Sequence, residues 1–170
     1  MDMPVTFIQR SNYINAIIET PKGSGVKYNF DEETGSFKLK KILPDGLVFP
    51  FHFGFIPGTL AEDHDPLDVL VFMDEASWPG CIIECKVVGV IKAEQKIENN
   101  TQRNDRIIVV PLVSKKYKTI NSIFDFDKPV INETENFLES YTQQDKKQFQ
   151  VIGKEGPEFA IKLIKKAGIK

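Results

Sequence analysis

The chain has 170 residues, 41% hydrophobic, and carries 22 basic and 24 acidic side chains for a net charge of -2. That size predicts a single domain over residues 1–170, with enough core to fold without disulfide or metal staples. The charge balance gives no general attraction to nucleic acid or to an anionic membrane, so neither is expected as a partner.

The opening "MDMPVTFIQR" lacks the charged-then-apolar pattern of a secretory leader, and no apolar run reaches spanning length, which predicts a cytoplasmic protein. "NYINAIIETP" reads as a strand ended by Pro21 and the turn "KGSG". "VKYNF" and "SFKLKKIL" follow as two strands of a hairpin closed over "DEETG", with Gly35 at its end. "LVFPFHFGFI" places Phe49, Phe51, Phe53 and Phe55 at period two, so an extended segment puts all four rings on one face. That face is expected to be core. The alternative is a stacking surface for single-stranded nucleic acid, which the net charge and the acidic loop that follows oppose.

"DVLVFM", "CIIECKVVGVIKA" and "RIIVVPL" complete the predicted strands. Cys81 and Cys85 are the only cysteines. Four residues of strand separate them by roughly 13 Å, too far for a disulfide, so both are expected to be reduced. The last third changes period. "VINETENFLESYTQ" has the spacing of a helix with Asn132 as N-cap, and "GPEFAIKLIKKAG" is a helix with Pro157 near its first position and Gly168 at its end. Strands first and helices last predict an α+β fold, mainly β, with a closed barrel hiding the strand edges and helices flanking it.

The chemistry concentrates in "EDHDPLDVLV", residues 62–71. Carboxylates this close repel, and each raises the pKa of the next unless a cation lies among them. A D-x-D-x-x-D pattern arises by chance in a chain this rich in Asp roughly one time in twenty, so spacing alone leaves both a solvated turn and a metal site open. Leu67 stands where an EF-hand loop needs an oxygen ligand, which excludes that motif. Position favours a metal: Pro66 fixes the turn and Asp68 opens an apolar strand. The candidate ligands are all oxygens, so the cation expected is Mg2+. Lys27, Lys41 and Arg106 lie on three separate predicted strands and would suit a phosphate if the fold brought them together. His52 and His64 have no metal-ligand spacing. Both are expected to be hydrogen-bonded or solvated, with His64 the alternative nitrogen ligand between two aspartates.

With these residues in view, the chain resembles the soluble family I inorganic pyrophosphatases. "DHDPLDVLV" is similar to that family's D-x-D-P-x-D-V-L-V signature, "INAIIETPKGSGVKYNFDEETG" to its N-terminal strand, basic turn and hairpin, and "FGFIPGTLAED" to the approach to the acidic loop. "PGCIIECKVVGVIKAE" resembles the long strand after it. The resemblance covers residues 12–112 closely and the C-terminal helices weakly. It implies a five-stranded, OB-like closed β-barrel with flanking C-terminal helices, and Mg2+-dependent hydrolysis of inorganic pyrophosphate by a homo-oligomer. It also implies roles. Asp63 and Asp68 hold metal, Asp65 touches metal and takes a proton from the attacking water, and Glu19 and Asn104 complete the metal set. Lys27, Lys41 and Arg106 bind substrate, and Tyr141 donates to a phosphate oxygen.

The same comparison exposes departures. Asn29 and Asn104 stand where the family has acids, Phe49 and Phe53 where it has tyrosines, and Lys41 where it has Arg. His52 replaces an Asn, Arg106 a Lys and Thr142 a Lys. Asp105 falls on the opposite strand face from Asn104 unless the strand bulges. Which of Glu94, Gln95 and Glu98 replaces the family's acidic pair stays open. These changes predict reduced activity, or a relative that binds metal, phosphate compounds or a protein partner without hydrolysis.

Overall fold

The computed structural model describes residues 3–8, 11–143, 145 and 147–169. Strands β1 (Tyr13–Thr20), β2 (Val26–Asp31), β3 (Ser36–Ile42), β4 (His52–Phe55) and β5 (Asp68–Val71) are followed by the long β6 (Ile82–Ile97). Then come β7 (Asn100–Arg103), β8 (Arg106–Pro111), helix α1 (Lys128–Gln143), β9 (Gln148–Glu155) and helix α2 (Pro157–Ala167).

Five strands pair in a closed ring: β1 with β4, β4 with β5, β5 with β8, β8 with β6, and β6 back to β1. Closure removes the exposed edges that so many short strands would otherwise present. The β5–β8 pair is parallel, whereas the other pairs of the ring are antiparallel. β7 and β9 both pair with the second half of β6, beyond the ring. β2 and β3 stand apart as a hairpin.

The apolar runs of β5 and β8 are explained by burial on both faces. Leu70 and Ile108 join a cluster with Phe49, Phe51, Phe53, Phe137 and Leu138 beneath α1. Val69, Val71, Ile107 and Val109 turn the other way, to Ile14, Ile18, Ala160 and Ile164 beneath α2. Gly54 lets β4 approach β1: a Cβ there would lie 1.9 Å from the carbonyl oxygen of Ile17, so only a residue without one fits.

Several expectations are corrected. Only His52–Phe55 of "LVFPFHFGFI" is strand, because Pro50 interrupts the run. Phe49, Phe51, Phe53 and Phe55 are all buried, at 1, 1, 3 and 6% exposure, which leaves no stacking surface for a base. Helix α1 begins at Lys128 with Pro129 in its first turn, where a missing N–H costs nothing, so Asn132 lies inside the helix and is not its cap. β6 runs on past Ala93, where the predicted strand ended, and turns back into β7 through Glu98 at φ 55°. β9 was not expected. Cys81 and Cys85 are both free, and Cys85 is buried. Among the described residues no helix is long and apolar enough to cross a membrane.

Candidate active site

One cavity, of about 710 Å³, opens at the end of the ring where β5 and β8 begin. All nine residues singled out in the sequence line it: Glu19, Lys27, Lys41, Asp63, Asp65, Asp68, Asn104, Arg106 and Tyr141.

Strand register explains how they meet. Asp68 is the first residue of β5 and Arg106 the first of β8, and the parallel register sets them side by side. The Arg106 guanidinium reaches Asp68 Oδ2 at 2.7 Å. In the β2–β3 hairpin Lys27 faces Lys41. Lys27 Nζ lies 4.3 Å from the centroid of the Phe53 ring, and Lys41 Nζ 4.0 Å from that of Tyr141, so aromatic faces support both cations. Lys41 also pairs with Asp145 at 3.0 Å.

The acidic loop is held from both sides. Leu67 is buried and donates its N–H to Thr59 Oγ1 at 2.9 Å, and Asp63 Oδ1 accepts from the Asp65 N–H at 3.2 Å. His64, at φ 68° on the loop's outside, has an exposed side chain and does not line the cavity, which removes it as a nitrogen ligand here. His52 is fully buried away from the cavity. Its Nδ1 accepts the Lys22 N–H at 3.0 Å and its Nε2 faces the Glu75 carbonyl at 3.0 Å, so the ring is a neutral Nε2–H tautomer bridging two loops.

The charges are strained. Burial pushes the Glu19 carboxyl up to about 7, against the opposing pull of the Phe30 N–H on its Oε1 (2.7 Å) and of Lys27. Asp68 is raised too, by burial before any other cause, with Arg106 and Lys27 pulling the other way. Asp65, at the mouth, is raised by partial loss of solvent and then by Asp63. Burial lowers Lys27, and the nearby acids only partly counter it. The Tyr141 phenol is held well above its usual range, by burial first and then by Asp145, so it stays protonated and can donate.

Residues left open or missed in the sequence also find places. Of the candidates for the acidic pair, Gln95 lines the cavity, whereas Glu94 and Glu98 do not. Asn104 Nδ2 donates to Gln95 Oε1, and Asn104 Oδ1 accepts from Arg106 Nη1. Asp105 faces the other way, accepting the Ala93 N–H at 3.0 Å and pairing with Arg103, as strand alternation requires. Asn29 Oδ1 is buried in the cavity wall with no partner among the described residues. The Thr142 hydroxyl donates back to the Leu138 carbonyl at 2.8 Å, so its proton is committed to the helix. Lys40 and Lys147 line the cavity as well. Neither carried a signal beyond being a charged residue near the right elements. Among the described residues, no three His, Cys, Asp or Glu side chains are already gathered closely enough to hold a metal ion.

A family model described as inorganic pyrophosphatase matches residues 16–169. An inorganic pyrophosphatase of Halalkalibacterium halodurans is 37% identical over 151 residues, covering 89% of this chain and 90% of that protein. One from Synechocystis is 33% identical over 155 residues, covering 91% of this chain and 89% of its own length. Among solved structures, the inorganic pyrophosphatase from Thermus thermophilus superposes with a TM-score of 0.88 at 31% identity, covering 97% of this chain and 94% of that one. With a match that runs across nearly the whole sequence, and relatives matched over nearly their full length, the chain belongs to the soluble inorganic pyrophosphatase family of hydrolases.

Proposed function

We propose that this enzyme hydrolyses inorganic pyrophosphate to two phosphates in an Mg2+-dependent reaction, at a rate lowered by its substituted site. We read residues 1–170 as one domain, the five-strand ring as an OB-like barrel, and the protein as a cytoplasmic homo-oligomer. The observation that carries the catalytic reading is the pairing of two walls in one cavity. Glu19, Asp63, Asp65 and Asp68, an acidic wall, line it together with the basic Lys27, Lys41 and Arg106 and the Tyr141 phenol.

The residues fit a hard divalent cation. Every donor on the acidic wall is oxygen, three of the carboxyls are pushed up, by burial first, and Asn29 adds a buried oxygen with no partner among the described residues. Asp63, Asp65, Asp68 and Glu19 would hold Mg2+. The ion, when bound, supplies Lewis-acid polarisation of phosphoryl oxygens and a more acidic water.

The protein's own groups do the rest. Lys27, Lys41 and Arg106 neutralise and orient the polyanion, which is most of what phosphoryl transfer needs. Asp65 takes the proton as a water oxygen bonds to phosphorus and the bridging P–O bond breaks, and its raised pKa makes it a better base. Tyr141 donates to a phosphoryl oxygen where charge accumulates. Phosphate release from pyrophosphate across a wide Mg2+ titration tests this. We expect turnover that needs Mg2+ and is lost in Asp65→Asn; release no greater than in that variant overturns the reading.

A second reading, binding without hydrolysis, is favoured by two observations. Asp68 already pairs with Arg106 at 2.7 Å, and Thr142 turns its hydroxyl to the helix backbone. Calorimetric binding of pyrophosphate without turnover is its signature.

A further inference from the structure

We propose that Gln95 and Asn104 are a positioning pair that aims Arg106 at a phosphoryl group, so that this wall reads the substrate through a guanidinium held by amides and not through a ligated metal ion. The proposal rests on the cavity being a pyrophosphate site.

Arg106 is 5% exposed and commits one nitrogen to the protein. Its Nη1 faces Asp68 Oδ2 at 2.7 Å, the Asn104 side-chain oxygen, and the carbonyls of Asn104 and Asp105 at 3.1 and 3.3 Å. The opposite edge is different. Nε is buried without a partner, and no acceptor for Nη2 occurs among the described residues. The Nε–Nη2 edge of a guanidinium is a planar fork that matches two phosphoryl oxygens. The plane is fixed by two rings, with Cζ 5.3 Å from the centroid of Phe149 and 5.9 Å from that of Phe53.

The orientation of the amides follows from donor chemistry. A guanidinium only donates, so Asn104 must turn its oxygen to Arg106 and its NH2 away, where Gln95 Oε1 accepts it. Gln95 is 6% exposed and lies opposite Phe149 in the β6–β9 register, so one strand pair sets both the amide and the ring. The Asn104 oxygen is therefore already engaged. Neutrality matters as well. Asp68 is the one carboxylate partner of Arg106 among the described residues and already offsets its charge. A second carboxylate at position 104 would leave the cluster net negative and repel an anion.

Three measurements on Asn104→Ala, Asn104→Asp, Arg106→Lys and the Asn104→Ala/Arg106→Lys double variant test the pair. These are calorimetry with inorganic phosphate, calorimetry with Mg2+ alone, and KM against kcat for pyrophosphate. We expect Asn104→Ala to weaken phosphate binding and raise KM by about 10-fold, the scale of one charge-assisted hydrogen bond. Mg2+ affinity measured alone should stay unchanged. Asn104→Asp should weaken phosphate binding at least as much, and Asn104→Ala should add nothing once Arg106 is Lys. The proposal is overturned if Asn104→Ala weakens Mg2+ binding while phosphate binding holds, if the two substitutions act additively, or if wild type binds no phosphate. Should Asn104→Ala melt early, Gln95→Leu reads the same coupling one bond further from Arg106. Absent turnover in wild type would sink the enzymatic reading alone, because the phosphate calorimetry still decides the role of the pair.

Discussion

Tyr141→Phe removes a single oxygen from the cavity, and the structure says what that oxygen does not do. The Tyr141 ring is 7% exposed and packs against Phe49 at 5.4 Å and, stacked, against Phe137 at 5.7 Å between centroids. A phenylalanine keeps those contacts and still offers a face to Lys41, now 4.0 Å from the ring centre. Among the described residues no protein group hydrogen-bonds the hydroxyl, so the fold loses no partner. Stability should change by no more than about 0.5 kcal/mol, a shift of roughly 1–2 °C in Tm for a chain this long. Activity should respond on another scale. A hydrogen bond to a charged phosphoryl oxygen is worth about 1.5–3 kcal/mol, which converts to a fall in kcat/KM of about 10- to 150-fold. Steady-state phosphate release at saturating Mg2+, paired with a thermal melt of the same sample, measures both. Full kcat/KM in the variant would place the hydroxyl outside the reaction. A lost activity accompanied by a drop of many degrees would mean that packing, not donation, is its role.

Two further outcomes follow from the fold around the site. Gly54→Ala forces a Cβ toward the Ile17 carbonyl, 1.9 Å away if nothing moves, and should cost about 1–3 kcal/mol in a urea titration as β4 is pushed off β1. An unchanged midpoint would show that the two strands separate freely. His52 is buried neutral and its pKa is lowered, by burial before anything else, so its contribution to stability is complete above pH 6.5 and is lost as pH falls below it. Glu19, raised to about 7, works the opposite way, gaining stability as pH falls from there toward its unfolded value of 4.5. The clean readout is therefore the difference between wild type and His52→Asn from pH 8 to 5.5, and a pH-independent difference would contradict the assignment.

Strand periodicity made β1, β2, β3, β5 and β8 legible to within two residues at either end, because their apolar or alternating faces are local properties. β7 and β9 were not legible for physical reasons. The β6–β7 turn uses Glu98 at positive φ where a Gly or Asn would have marked it. β9 carries Gly153 in its interior and alternating polar residues, and its strand character comes from pairing with β6, far earlier in the chain. Phe49 and Phe51 looked like strand and are loop, since burial of rings at period two requires only that the chain be extended past a core. At the site, the motif of the acidic loop marked Asp63, Asp65 and Asp68, and all three line the cavity. The role of Gln95 was invisible, because a glutamine between a glutamate and a lysine signals nothing until register turns its side chain inward.

The place where the acidic and basic walls touch is set by topology more than by any motif. In an antiparallel pair the first residue of one strand lies beside the last of its neighbour, so Asp68 and Arg106 could not both open their strands and still meet. The ring's one parallel pairing among the described strands, β5 with β8, brings two strand starts to the same rim. That pairing requires a long crossover, and the chain supplies it with β6 and β7, which deliver Gln95 to the same rim. The excursion that permits the parallel pair thus also carries the amide that orients its arginine. The side chains along this wall are therefore coupled: an arginine at 106 has a fork that a lysine lacks, and neutral side chains at 95 and 104 leave that fork free to bind an anion.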